Sequence, residues 1–169
     1  MLGRRRKRRG REQPDSGREV YEGLRSLALR SVSDGLPAPP AQHPDVSGLV
    51  VDIAASGGHA TLVALTDDTT SMYTSGGGGT IGAGERPHIA EATHRLLAVV
   101  QAHLGMFTGP EDEGLPAAGS VRFHVLTPAG GHSVDIPDDC FWSREDHELM
   151  PVIAGVQAIV TALREVSPQ

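Results

Sequence analysis

Aromatic residues, lysine and cysteine are all scarce in this sequence, and each shortage excludes something. One tryptophan, two tyrosines and three phenylalanines make up 4% of the 169 residues. The core must therefore be built from Val, Leu, Ile and Ala, and a surface for stacking single-stranded bases is poorly supplied. Cys140 stands alone, so neither an intrachain disulfide nor a Cys-based zinc cluster can form. Lys7 is the sole lysine and lies near the start, which removes the phosphate-gripping lysine that a P-loop needs. No run approaches the ~18 apolar residues of a membrane span, and no apolar stretch follows the early arginines as it would in an export signal. A cytoplasmic protein without a bound cofactor or metal is the expectation.

Charge is plentiful but unevenly spread. Residues 1–18 carry eight basic groups against two acids, leaving seven basic and nineteen acidic residues in the remainder, a balance of −12. The block Arg4, Arg5, Arg6, Lys7, Arg8, Arg9, Arg11 has the unspecific attraction to anions that suits nucleic acid or an anionic membrane surface. It equally fits a disordered basic leader, with Val20 as an alternative initiator. Residues 19–169 read as one domain, large enough for a hydrophobic core.

Within that domain, Val20, Leu24, Leu27 and Ser31 recur at helical spacing over 18–33, with Tyr21 and Ala28 beside them. A proline-rich linker, 34–48, follows. Two apolar runs, 49–55 and 60–66, flank Gly57-Gly58, which predicts a hairpin whose register sets Ile53 opposite Leu62 and Asp52 opposite Val63. A third strand, TTSMYTS, leads to a glycine loop and then to a helix over 87–104 with Ile89, Thr93, Leu96 and Val100 on one face. An acidic loop, 105–119, precedes a second hairpin, 121–127 with 132–136. There Val121, Phe123, Val125, Val134 and Ile136 define a dry side, and Arg122, His124 and Asp135 a wet one. Ser143 and Asp146 give a capping signature for a last helix, whose Ala154, Ala158 and Ala162 form a smooth flank suited to a homodimer contact. Short Gly-Gly and Asp-Asp connections exclude parallel crossovers, so the expected fold is α+β, α-βββ-α-ββ-α, with a five-stranded, mainly antiparallel sheet.

The glycine loop, TSGGGGTIGAGERP at 74–87, is the first candidate for chemistry. Gly77-x-Gly79-x-x-Gly82 spells a dinucleotide fingerprint between a strand and a helix, where backbone N–H groups and the helix dipole can hold an anion. Ser75, Gly77, Gly79, Gly82, Gly84 and His88 are its candidate ligand-binding residues. Against this, the strand before it belongs to a meander, no acid ends a strand about twenty residues on, and Glu85 stands where a phosphate would sit. The competing reading is a tight strand-to-helix corner. His88, Glu91 and His94 follow at i, i+3 and i+6, a spacing whose outer members diverge by roughly 120°, which predicts a solvated face rather than a metal site. In DDCFW, 138–142, the two carboxylates disfavour a thiolate at Cys140, so Cys-Phe-Trp reads as a buried anchor with no catalytic residue in it.

The run from Gly48 to Leu104, above all ATLVALTDDTTSMYTSGGGGTIGAGE, resembles a bacterial protein type common in actinobacteria, a likeness that brings no activity, cofactor or partner. The order of a meander, a helix, a hairpin and a terminal helix is similar to that of profilin-like and roadblock-type domains, which serve as dimerising platforms. What the layout implies is a non-enzymatic interaction or regulatory domain with a protein partner or a second copy. The alternatives are a small-molecule, nucleotide or anion binder using the loop at 75–85, and an accessory protein acting through its basic arm.

Overall fold

The computed structural model describes residues 16–143 and 146–166, so the basic arm at Arg4, Arg5, Arg6, Lys7, Arg8, Arg9 and Arg11 lies outside the described residues. The chain is α+β, with one antiparallel sheet between two helical layers. Its strands are β1 (Gly48–Ala55), β2 (Gly58–Leu65), β3 (Thr70–Thr74), β4 (Gly79–Thr80), β5 (Ser120–Thr127) and β6 (Gly130–Pro137), in the spatial order β4-β3-β2-β1-β5-β6. The helices are α1 (Ser16–Leu29), α2 (Pro87–Ala102), α3 (Asp138–Ser143) and α4 (Met150–Val166). No helix among the described residues is long and apolar enough to cross a membrane.

The sheet has six strands rather than the expected five, because the glycine loop folds back on β3. Gly79 pairs with Tyr73 and Thr80 with Met72. This approach demands glycine: a Cβ on Gly79 would lie 2.3 Å from the Met72 carbonyl oxygen. The first hairpin also differs from its expected register. Ile53 opposes Ala60 and Asp52 opposes Thr61, a shift of two residues, because the turn is Ser56-Gly57 and only Gly57 of that pair takes positive φ. A two-residue shift preserves the faces, so the expected sidedness survives.

Between the sheet and the pair α2 and α4 sits the larger core. Leu49, Val51, Leu62, Phe123 and Val125 meet Leu96, Leu97, Val156 and Ile159 there, all 1% exposed or less. α2 and α4 pack on each other, with Gly155 letting Leu96 approach to where a Cβ would stand only 2.8 Å away. α4 begins at Met150, where the His147 carbonyl accepts its N–H and His147 Nδ1 accepts that of Leu149, not at the Ser143 signature. Phe141 is buried as expected of an anchor, but Trp142 is 53% exposed, so the plug is one ring deep.

On the opposite face lies α1, rotated from its expected orientation. Tyr21, Arg25, Ala28 and Leu29 are buried, whereas Val20 and Leu27 are 60% and 57% exposed. α1 already includes residues 16–18, which the charge boundary had assigned to the leader. Of the side of β5 and β6 expected to be wet, Asp135 is exposed and Arg122 half-buried, whereas His124 and Ser133 are buried.

Candidate functional site

Alternation along the strands places two rows of side chains beneath α1. Cross-strand pairing sets Tyr73, Thr61, Asp52, Arg122 and Asp135 in one row, and Ser71, Val63, Val50, His124 and Ser133 in the next. Asp52 is fully buried at the centre. It accepts Arg25 Nη2–H at 2.7 Å, Thr61 Oγ1–H at 2.6 Å and His124 Nε2–H at 2.7 Å. Because Thr61 donates to Asp52, its oxygen accepts from Tyr21 Oη at 2.8 Å, so two residues of α1 are tied to one carboxylate. Burial pushes the Asp52 carboxyl upward, but hydrogen bonds from His124, Arg25 and Thr61, with the Arg25 charge, outweigh it and hold the group below the ordinary range.

His124 Nδ1 faces Ser133 Oγ at 3.2 Å, completing a Ser-His-Asp series that sequence reading missed, since its members lie on β6, β5 and β1. Only the shared sheet face, legible as alternation, hinted at it. Its surroundings are those of structural support. Ser133 is 7% exposed, its Oγ accepts the Asp112 N–H, and its own N–H is bonded to the Gly109 carbonyl. An acyl-transfer site needs an accessible nucleophile and free donors for an oxyanion. Here the 105–119 loop lies across the series, strapped by Arg25 to the Glu113 and Gly114 carbonyls and by Arg122 to Asp112 and Gly114.

The open part of this face lies on the other flank of α1, along β3 and β4. A groove there holds two adjacent cavities, of about 390 and about 200 Å³, sharing Leu24, Tyr73 and Ile81. Its rim is apolar and exposed: Val20, Leu27 and Ile81, the last at 64%. The stripe Val20, Leu24, Leu27 and Ser31 thus faces a groove rather than the core. Among the described residues, no charged side chain lines the smaller cavity. Two of its lining residues, Tyr73 and Ser31, carry the buried hydroxyls that have no hydrogen-bond partner among the described residues. Burial foremost, and the nearby negative charge of Asp52, push the Tyr73 phenol upward, so it stays a protonated donor.

The sequence candidates are split by this geometry. Gly77 and Gly79 line the larger cavity, but Gly77 as part of the β3–β4 turn and Gly79 as the first residue of β4. The Gly77 N–H is bonded to the Thr74 carbonyl and that of Gly82 to Ser71 Oγ, so neither points at an anion. Ser75 Oγ accepts the His59 N–H beside a separate depression, Gly84 is packed against Asp68, and His88 is exposed on the first turn of α2. Of the face expected to be solvated, His88 and Glu91 are exposed, and His94 is half-buried and bonds Asp68 and His43. Among the described residues no group of three or more His, Cys, Asp or Glu side chains is arranged to hold a metal. Comparison with family models, with curated proteins and with solved structures finds no match to this chain.

Proposed function

We propose that this chain is a cytoplasmic, non-catalytic regulatory domain that binds a small, neutral, largely apolar molecule in the groove between α1 and the β3–β4 hairpin. One observation carries the reading: Tyr73, whose buried hydroxyl lacks a hydrogen-bond partner among the described residues, lines a largely apolar cavity. A buried hydroxyl left unmade costs ~1–3 kcal/mol, and a ligand acceptor would relieve that cost. The cavity is of the order that holds a single ring, since a dry apolar cavity of ~150 Å³ accepts benzene. A protonated phenol calls for an acceptor on the ligand, and the uncharged lining disfavours an ion.

The test is an amide-resolved NMR titration of the full chain with acetophenone, which pairs a ring with a carbonyl. Ethylbenzene and benzoate are the counter-probes. Shifts clustering at Leu24, Ser71, Tyr73 and Ile81, with acetophenone ahead of both counter-probes and lost in Leu27→Asp, support the reading. Benzoate binding as tightly, or shifts centred elsewhere, would sink it. Hydrolysis of p-nitrophenyl acetate by the chain, abolished in Ser133→Ala, would replace it with an enzyme.

A further inference from the structure

Away from the groove, three elements meet at a pair of histidines. His43, fully buried in the proline-rich segment, places Nδ1 2.8 Å from the Val46 carbonyl oxygen and Nε2 3.1 Å from His94 Nδ1 of α2. His94 Nε2 lies 2.8 Å from Asp68 Oδ1 in the β2–β3 turn. The ring centroids lie 5.4 Å apart, with the planes inclined by 27°.

Counting protons fixes the charge of this chain of contacts. A carbonyl only accepts, so His43 Nδ1 carries a proton. A carboxylate only accepts, so His94 Nε2 carries another. Two neutral imidazoles hold two protons in all, and both are now placed. His43 Nε2 and His94 Nδ1 would then face each other with two lone pairs at hydrogen-bond distance. A third proton converts that repulsion into a hydrogen bond.

We propose that His43 and His94 form a proton-binding clip, sharing one extra proton between Nε2 and Nδ1, which fastens the 36–47 segment to α2 and to the β2–β3 turn and releases it when that proton leaves. The shared positive charge is balanced by Asp68. That residue is held in place: it adopts φ +68°, and its backbone is approached so closely by Gly84 that a Cβ there would stand 1.6 Å from its carbonyl oxygen. His94 and Asp68 are partly open to solvent, with 36% and 53% of their side chains exposed, so protons exchange at the outer end while the inner ring is sealed. His88, on the first turn of α2, is exposed. Asp45 bonds Gln101, Asp67 accepts the Thr69 N–H, and Glu91 pairs with Arg95. The 36–47 segment connects α1, one wall of the groove, to β1, so the clip gives that wall a proton-dependent tether.

Long-range proton–nitrogen NMR of the histidine rings in the full chain tests the assignment. The expected result is that the two rings gain and lose the third ring proton together, as one unit. The Val46 amide, bonded to the His43 carbonyl, should exchange roughly tenfold faster at about pH 8 than at about pH 6 after correction for intrinsic rate, as for one lost hydrogen bond. That increase should vanish in His94→Gln. Asp68→Asn, which keeps an acceptor and tolerates positive φ, should move the release to lower pH. Two independent single-ring titrations, or exchange at Val46 indifferent to pH in the unmodified chain, would overturn the clip. So would Zn²⁺ displacing the shared proton with a rise in melting temperature, which would make the pair a metal site.

Discussion

The guanidinium of Arg25 and the carboxylate of Asp52 face each other across the α1–sheet boundary, with Nη2–Oδ2 at 2.7 Å and Nε within 3.0 Å of both oxygens. The same guanidinium holds two loop carbonyls, so one side chain joins α1, β1 and the 105–119 loop. Removing one member of a buried pair leaves the other charge uncompensated, at a cost of ~3–5 kcal/mol. Arg25→Met is expected to fall in that range by urea denaturation, and to speed proteolysis within 105–119. An unchanged midpoint would show that His124 and Thr61 alone satisfy Asp52.

Acid should act through the same carboxylate. The native Asp52 group titrates below the value of an unfolded aspartate, ~3.9, so its contribution is fully present above that value and is lost as pH falls through the native one. Asp112, lowered by its bond to the Gly114 N–H and by the Arg122 charge, shifts in the same direction, though it is exposed. Stability of the chain should therefore decline on the acid side of about pH 4. In Asp52→Asn the baseline should be lower and that decline shallower, as read from urea midpoints across pH.

These relationships were only partly legible in the sequence. Period-two alternation gave the correct sides for Val121, Phe123 and Val125, and survived the slipped hairpin register because the slip was even. Period-3.6 apolarity failed at α1. Arg25 and Tyr21 bury themselves by finding Asp52 and Thr61, partners some 27 and 40 residues away that no local pattern announces. The apolar stripe was displaced to the groove in consequence. The glycine loop drew attention to the right neighbourhood for the wrong reason: its fingerprint spacing suggested an anion, whereas its glycines admit backbone at Tyr73 and Asp68.

That last distinction is testable by alanine substitution. A Cβ at Gly84 would stand 1.6 Å from the Asp68 carbonyl oxygen, a backbone atom that cannot swing aside. Gly76 has nothing within 4 Å and no positive φ. Gly84→Ala should cost ~1–3 kcal/mol or more, as overpacking does. Gly76→Ala should be neutral or gain ~0.4–1 kcal/mol by restricting the unfolded chain. Thermal melts of the two variants compare them directly, and equal tolerance would remove the close-approach argument.

Tyr21 and Tyr73 offer the sharpest contrast, since they touch edge to face at 5.8 Å and differ in what their hydroxyls do. Tyr21 Oη donates into the Thr61–Asp52 chain, and Tyr21→Phe takes away a donor while Thr61 keeps its bond to Asp52. A loss of ~0.5–1.5 kcal/mol follows. Tyr73 Oη has no partner among the described residues, so Tyr73→Phe deletes a buried polar atom that none of them satisfies. Its stability should be unchanged or raised by ~1 kcal/mol. The same variant should weaken acetophenone roughly threefold to tenfold, the worth of one hydrogen bond, while leaving ethylbenzene unaffected. A protein made more stable and at the same time poorer at holding a carbonyl-bearing ring is the combination expected of a hydroxyl kept for a ligand. Stability lost on removing it would mean that the hydroxyl serves the fold.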